Sequence, residues 1–430
     1  MKKVGFYTLG CKVNQYETEA MAELFAKEGY KVCDFSDKAD VYVINTCSVT
    51  HMGDRKSRQM IRRAKKTNPD CVIAVCGCYS QTAPEEILEI DGVNIVIGNK
   101  GRNKIVELVK NLNTSSKVNA VSDIMSTHDF EELHIANYTD RTRAYIKIQD
   151  GCSQFCSYCI IPYARGPVRS RSENEVLEEI EKLTQKGFTE IILVGIHVAS
   201  YGKDLGNTSL EDLLIKVDKI EGVKRIRMSS IEPMTLNSEF VEKVKSATKL
   251  CPHFHISLQS GCDETLKRMN RHYTTEKYLE IVNGLRAAFE GCAITTDIMV
   301  GFPGETDEEF ECTAEFVKKA DFADAHVFMY SQRRGTPAAK RPDQVAPQIK
   351  EERSKRIIAL TSKSRDNFLT KFLGSVNEVL FEQPVKGYFE GKTANYITVR
   401  VKTKENLQSV YRNVLFEELK DGVIYGKIVD

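Results

Sequence analysis

Ala144-Tyr-Ile-Lys-Ile-Gln-Asp-Gly-Cys-Ser-Gln-Phe-Cys-Ser-Tyr-Cys159 places a strand-like segment, 144–149, directly before three cysteines in a Cys-x-x-x-Cys-x-x-Cys run. Three thiolates can hold a four-iron cluster while leaving one iron without a protein ligand. An open iron is where a substrate or cofactor coordinates, whereas four ligands suit electron transfer. Structural zinc is the competing reading, because closely spaced Cys pairs most often bind it. A closed zinc site wants a fourth Cys or His, and none follows between Cys159 and His197.

Outward from this loop, residues 139–365 repeat a strand and helix pattern six times. Strands are expected at 144–149, 190–194, 223–229, 253–258, 293–300 and 323–330, with helical stretches including 172–186, 209–220, 238–247, 274–289 and 307–319. Six parallel strands make an incomplete (βα)6 barrel, with chemistry expected at the loops that follow the strands. The cysteine loop follows the first. Other strand ends are polar or glycine-rich: Gly195-Ile-His-Val-Ala-Ser-Tyr-Gly202, Ser229-Ser-Ile-Glu-Pro233, Leu258-Gln-Ser-Gly261 and Val300-Gly-Phe-Pro-Gly-Glu305. Gly195 would let a ligand approach the backbone, and His197, Glu232, Gln259 and Ser260 could hydrogen-bond a nucleoside-like cofactor. Structural hydrogen bonds within the loops are the alternative for His197 and Glu232. Cys251, Cys262, Cys292 and Cys312 show no ligand spacing and read as structural.

Upstream, residues 1–138 alternate apolar strands (3–9, 31–35, 41–45, 71–75, 94–97) with amphipathic stretches, which argues for a parallel sheet covered by helices. Ligands in such sheets gather beyond the carboxyl ends of the strands. Cys11, Cys47 and Cys78 fall at three of those ends. One such cysteine is more often a buried thiol, but three at equivalent ends favour a second open-sided cluster. Cys76 competes with Cys78; Cys78 is preferred because it lies past the strand, after Gly77. Cys33 and Cys71 read as core. Between these strands, 54–66 forms a helix with a basic side of Arg55, Arg58, Arg62 and Lys66, either a solvated face or a phosphate-contacting one.

Downstream, residues 366–430 read as about five short antiparallel strands, enough for a small β-barrel. Such barrels often bind single-stranded RNA through basic and aromatic side chains, here Lys386, Tyr388, Lys392, Tyr396 and Arg400. Some of these aromatics must instead pack inside. The whole is an α/β chain of 430 residues with 41% hydrophobic and 28% charged content, which suits a folded, multi-domain protein. Gly10 to Gln15 interrupts any secretory apolar region, and no run approaches a membrane span of about 18 apolar residues. Thirteen cysteines without a disulfide framework suit a cytoplasmic, reducing location and point to metal or buried thiols. The net charge of +1 says little about partners.

Taken together, these motifs resemble the radical S-adenosylmethionine methylthiotransferases over nearly the whole chain. Tyr158, between the last two cysteines, matches the aromatic position of the radical S-adenosylmethionine loop. The resemblance implies an N-terminal methylthiotransferase domain (1–138), a radical core (139–365) and a C-terminal TRAM domain (366–430). Gly10–Glu17, Ile160–Pro167, Ser229–Pro233 and Tyr330–Ala339 look like members that act at C2 of N6-threonylcarbamoyladenosine beside the tRNA anticodon. Paralogues acting on isopentenyladenosine, or on a ribosomal-protein aspartate, look less similar there.

By this resemblance the cofactors are two 4Fe-4S clusters and S-adenosylmethionine. The cluster on Cys152, Cys156 and Cys159 would generate an adenosyl radical. The auxiliary one on Cys11, Cys47 and Cys78 would present sulfur for methylation and transfer. Implied partners are the tRNA anticodon stem-loop, a flavodoxin-like or other reductant and a sulfur donor. Arg165, Arg169 and Arg171, with the basic helix and the TRAM barrel, would hold the stem-loop phosphates. Competing readings are a ribosomal-protein methylthiotransferase and a non-catalytic RNA-binding protein with zinc in its cysteine sites.

Overall fold

The computed structural model describes residues 1–112, 116–133, 135 and 142–429. The expected boundary at 138 lies outside the described residues. Short apolar runs alternating with amphipathic stretches give β1 (Lys3–Thr8), α1 (Lys12–Lys27), β2 (Lys31–Cys33), β3 (Val41–Thr46), α2 (His51–Thr67), β4 (Val72–Gly77), α3 (Cys78–Thr82), α4 (Pro84–Leu88), β5 (Val93–Val96), α5 (Ile105–Lys110) and β6 (Val118–Asn119). The strands form one parallel sheet in the order β2-β1-β3-β4-β5-β6. Successive side chains point to opposite faces. Val41 and Val43 accordingly pack with Met21 and Phe25 of α1, while Tyr42 and Ile44 pack with Met60 and Ile61 of α2.

The central unit comprises β7 (Ala144–Asp150), α6 (Ile161–Arg165), β8 (Arg169–Ser170), α7 (Glu173–Thr184), β9 (Glu190–Gly195), α8 (Leu210–Asp218), β10 (Arg225–Met228), α9 (Ser238–Val244), β11 (His253–His255), α10 (Asp263–Arg268), α11 (Thr275–Ala288), β12 (Ala293–Val300), α12 (Asp307–Ala320), β13 (Asp324–Met329) and α13 (Pro347–Thr370). β10-β9-β7 and β11-β12-β13 are parallel ladders joined by single bridges, Ile226 to Leu250 and Ile231 to Ile256. The six strands thus curve into a partial barrel. β11 is shorter than its apolar run because the ladder is interrupted there and Gln259 turns left-handed at φ 67°. β7 has a free edge that pairs antiparallel with the short β8. α13 has no expected counterpart. Its apolar positions are sparse because it offers Ile357 and Leu360 to the main core and Leu369 to the next unit.

The last unit is a closed barrel, β14-β15-β16-β18-β17, from β14 (Val376–Val385), β15 (Tyr388–Thr393), β16 (Thr398–Val401), β17 (Tyr411–Lys420) and β18 (Val423–Val429). Its interior holds Val379, Phe381, Val399, Val414, Phe416 and Ile424. One pairing departs from the all-antiparallel expectation: β16 and β18 run parallel. Residues 402–410 carry the chain past the barrel before β17, so the β17–β18 hairpin returns beside β16 in the same direction. The three units interlock. Val13 of α1 packs on Ile192 and Val194 of β9, and Arg227 donates to the carbonyls of Thr393 and Ala394 in the small barrel, both at 2.7 Å.

Candidate active site

The loop after β7 is held by backbone geometry. Gly151 has φ 75°, and a side chain there would collide with the Pro167 carbonyl, its Cβ 1.8 Å away. Cys152 N donates to Gly166 O at 3.0 Å, Ser157 N to Met269 O at 2.9 Å, and Ala338 N to Ser157 O at 2.8 Å. These bonds fix the backbone of the loop that carries Cys152, Cys156 and Cys159. Burial and the neighbouring Cys156 push Cys159 up to about 12, and burial pushes Cys152 up to about 11. Without a cation between them Cys152 and Cys159 are therefore thiols. An iron cluster supplies the positive charge that makes thiolates stable. Arg271 places Nη1 3.5 Å from Cys156 Sγ and Nη2 3.8 Å from Glu232 Oε1. Tyr158 packs edge-on to Phe302.

The second triad lies where the sheet ends: Cys11 caps α1, Cys47 follows β3 and Cys78 begins α3. Gly10, at φ 100°, leaves room for Cys47, whose Sγ would lie 3.0 Å from a Cβ there. Burial first, then the neighbouring Cys78, pushes Cys47 up to about 12, with Cys11 adding to it. Arg165 Nε donates to Cys78 Sγ at 3.4 Å and Asn99 Nδ2 at 3.6 Å. Arg333 fixes the Cys47 loop by donating to Ser48 O at 2.9 Å and to Asp54 Oδ2 at 2.8 Å. Cys76 points elsewhere. It is fully buried on the α1 face of the sheet, 4.0 Å from Met21 Sδ.

Among the described residues no three His, Cys, Asp or Glu side chains converge tightly enough to grip one metal ion. Two sets of three thiols, each set within one another's electrostatic reach and each with an arginine on one sulfur, fit open-sided clusters in donor type and number.

The cofactor candidates divide. A cavity of about 460 Å³ is lined by Gln154, His197, Tyr201, Lys203, Glu232 and His272. Its His197 Nε2 is buried without a partner, and burial lowers the imidazole to about 4, so it is neutral at physiological pH. Burial also raises the Glu232 carboxyl, against the pull of Arg271. Gly195 lies at the end of β9, tight against Gln149, whose Oε1 accepts the His197 N–H at 2.7 Å. Gln259 keeps an unpaired buried Oε1. Ser260 Oγ lies 3.2 Å from Thr313 Oγ1. Arg271 and Gln149 went unpredicted because neither belongs to a motif; each becomes a site residue by reaching across the barrel.

Several expected RNA contacts are corrected. Arg165 has no exposed surface; it bonds Glu17 at 2.8 and 3.0 Å, Asp150 at 3.0 Å and Asn14 at 2.6 Å. Arg169 and Arg171 are likewise buried, against Asp150 and Glu179. Tyr396 stacks on His253 of β11 with centroids 4.6 Å apart, so it faces the core unit and not the outside of its barrel. On α2, Arg55, Arg62 and Lys66 are exposed, whereas Arg58 is committed to Tyr79 OH at 2.7 Å and Glu86 at 3.3 Å. Lys386 is exposed at the β14–β15 turn.

Residues 146–317 match the family model described as the radical SAM superfamily, and residues 3–98 match one described as uncharacterized protein family UPF0004. Among solved structures, the radical S-adenosylmethionine methyltransferase TsrM from Kitasatospora setae shares the fold with a TM-score of 0.58 at 15% identity, covering 79% of this chain and 77% of that one. A partial parallel barrel with a three-cysteine loop after its first strand defines a radical S-adenosylmethionine enzyme. The chain is 46% identical to the threonylcarbamoyladenosine tRNA methylthiotransferase MtaB of Bacillus subtilis (strain 168), over 99% of this chain and 96% of that protein. It is 36% identical to the tRNA-2-methylthio-N(6)-dimethylallyladenosine synthase of Acetivibrio thermocellus, over 98% and 90%. The chain belongs to the radical S-adenosylmethionine methylthiotransferase family. Its cofactors are S-adenosylmethionine and two 4Fe-4S clusters. Among the described residues no helix is long and apolar enough to cross a membrane.

Proposed function

We propose that this enzyme converts N6-threonylcarbamoyladenosine, next to the anticodon of tRNA, to its 2-methylthio derivative. The observation that carries this reading is the 46% identity, across almost the entire length of both chains, to a relative named for that substrate. When bound, S-adenosylmethionine and the two clusters supply the radical that removes hydrogen from C2 and the sulfur and methyl group that replace it. The protein's task is to hold these groups around one base. Cys152, Cys156 and Cys159 hold one cluster and Cys11, Cys47 and Cys78 the other. The cavity beside the first, with neutral His197 and Glu232, accommodates the nucleoside and amino-acid portions of S-adenosylmethionine. Val13 and Arg165 join the first two units at one junction, where Arg165 reaches Cys78.

The chain divides functionally at about 138 and 365 into the auxiliary-cluster unit, the radical core and an RNA-binding barrel. A flavodoxin-like or other small reductant and a sulfur donor complete the cycle in the cytoplasm. The test is anaerobic incubation of iron- and sulfide-reconstituted protein with S-adenosylmethionine, a strong reductant and tRNA carrying threonylcarbamoyladenosine, followed by nucleoside mass spectrometry. A methylthio nucleoside is expected. 5′-Deoxyadenosine without it would refute the substrate, and neither product from protein with both clusters intact would refute the enzyme.

The exposed row Arg55, Arg62 and Lys66 contacts phosphates of the stem-loop. Replacing all three by Ala is expected to weaken tRNA binding and to flatten the slope of log affinity against log salt by about 2 to 3. An unchanged slope would remove α2 from the RNA interface.

A further inference from the structure

The three units meet around Tyr396. This residue holds a left-handed backbone, φ 71°, in the loop between β15 and β16. Its ring is stacked on His253 and ringed by cations: Lys392 Nζ lies 4.6 Å, Arg227 5.0 Å and Arg143 5.6 Å from its centroid. Lys12, the residue after Cys11 and the first of α1, lies in the same electrostatic neighbourhood.

The pairing around this ring is unequal. Arg227 is matched by Glu190 at 2.7 Å, and Arg143 by Glu382 at 2.6 Å. Lys392 bonds the hydroxyl of Thr398 at 2.5 Å, and the carboxylates near it, Glu382 and Glu390, are taken by Arg143 and Arg400. The carboxylate near Lys12, Glu190, is likewise taken by Arg227, and Lys12 has no hydrogen bond or ion pair of its own among the described residues. Buried or half-buried ammonium groups are normally paired, so the cluster is short of an anion. The surrounding groups register that excess. Burial pushes the Tyr396 phenol up, yet Arg143, Lys12 and Lys392 together pull it below its ordinary value. Burial, then Arg227, with Lys12 and Lys392 contributing, holds the His253 imidazole well below its usual value. Nor is the region sealed. Cys11 retains accessible surface although protein surrounds it, and Lys12, Lys392, Tyr396 and His253 are each only partly covered.

We infer that Lys12 and Lys392, with Tyr396 between them, form a carboxylate site that binds the threonyl carboxylate on the substrate's N6 substituent. This rests on the proposed function, because the threonylcarbamoyl group is what brings a carboxylate to an adenine ring. Lys12 sits one residue from a ligand of the auxiliary cluster, so an anion held there keeps the base beside the sulfur-donating triad. A dimethylallyl substituent has no charge and would leave both lysines unpaired. The site therefore favours one modified adenosine over the other, since polar groups built to bind a partner penalise an analogue that lacks it.

A backbone phosphate could satisfy the same lysines, and two stem-loop RNAs separate the sources: one carrying threonylcarbamoyladenosine, the other its threonyl methyl ester. Affinity and methylthio product are measured for both with the cluster-loaded enzyme. The wild type is expected to prefer the free acid by about 10- to 100-fold, the range of a charge-assisted hydrogen bond. Lys12→Met and Lys392→Met should each cut that ratio toward one, and Lys12→Arg should retain most of it. Iron content and the absorption spectrum of each variant show whether the clusters are intact. Equal loss for acid and ester in the Met variants would assign the lysines to phosphate and overturn the inference, as would a wild type indifferent to the ester. A wild type that binds the acid preferentially yet modifies neither RNA would uphold the carboxylate site and defeat the proposed reaction.

Discussion

Cys78→Ala is expected to lower methylthio transfer at least about 100-fold, the scale reached by disturbing even outer partners of a metal site, while 5′-deoxyadenosine formation persists. Cys159→Ala should abolish both products. The contrast follows from placement, since the two triads belong to different units and only the loop after β7 adjoins the cavity of His197 and Glu232. Cys76→Ala is the control. Its sulfur lies in the core against Met21 of α1. Its loss should cost about 1 kcal/mol of packing and leave iron content unchanged, whereas Cys78→Ala should lose about half the iron. Equal iron loss in the Cys76 and Cys78 variants would reverse this assignment. Iron analysis and parallel quantification of both products are sufficient.

Arg165→Met is expected to destabilise the protein by about 3 to 5 kcal/mol, because it strands buried carboxylates that the guanidinium now pairs. Glu17, Asp150 and Glu131 face Arg102, Arg165, Lys147 and Arg169 at the junction of the first two units, nearly all of them without exposed surface. Burial pushes the Glu17 carboxyl up, but Arg102, Arg165 and Lys147 outweigh it and hold it at about 2. Asp150 is held well below its ordinary value by Lys147 and Arg165 against burial. A carboxylate depressed in the folded state adds stability that is complete above its ordinary value, here 4.5 for Glu17, and is lost as the pH falls through its folded value. Unfolding midpoints should therefore drop between about pH 4.5 and 2 in the wild type. Glu17→Gln should flatten that drop and lower the midpoint at neutral pH. An Arg165→Met protein that melts like the wild type would show that the network contributes nothing net. Because Arg165 also donates to Cys78, its loss should loosen the auxiliary cluster, read as lower iron retention.

The cysteine loop after the first core strand, the partial barrel and the small β-barrel were legible in the sequence because each depends on local signals: residue spacing, strand and helix periodicity, and the position of glycines. The six-strand pattern needs only neighbouring residues, and the run from Gly151 to Cys159 carries its geometry within one loop. Tertiary structure alone decided what the long-range charges do. Arg165 reads as an exposed phosphate ligand from sequence, yet its carboxylate partner Glu17 stands 148 positions away. Tyr396 likewise reads as an RNA-stacking aromatic, and only the docking of the last barrel on β11 turns it toward His253 and the two lysines. A side chain's type and periodicity are properties of its own segment, whereas its pairing and burial depend on which distant segments fold against it.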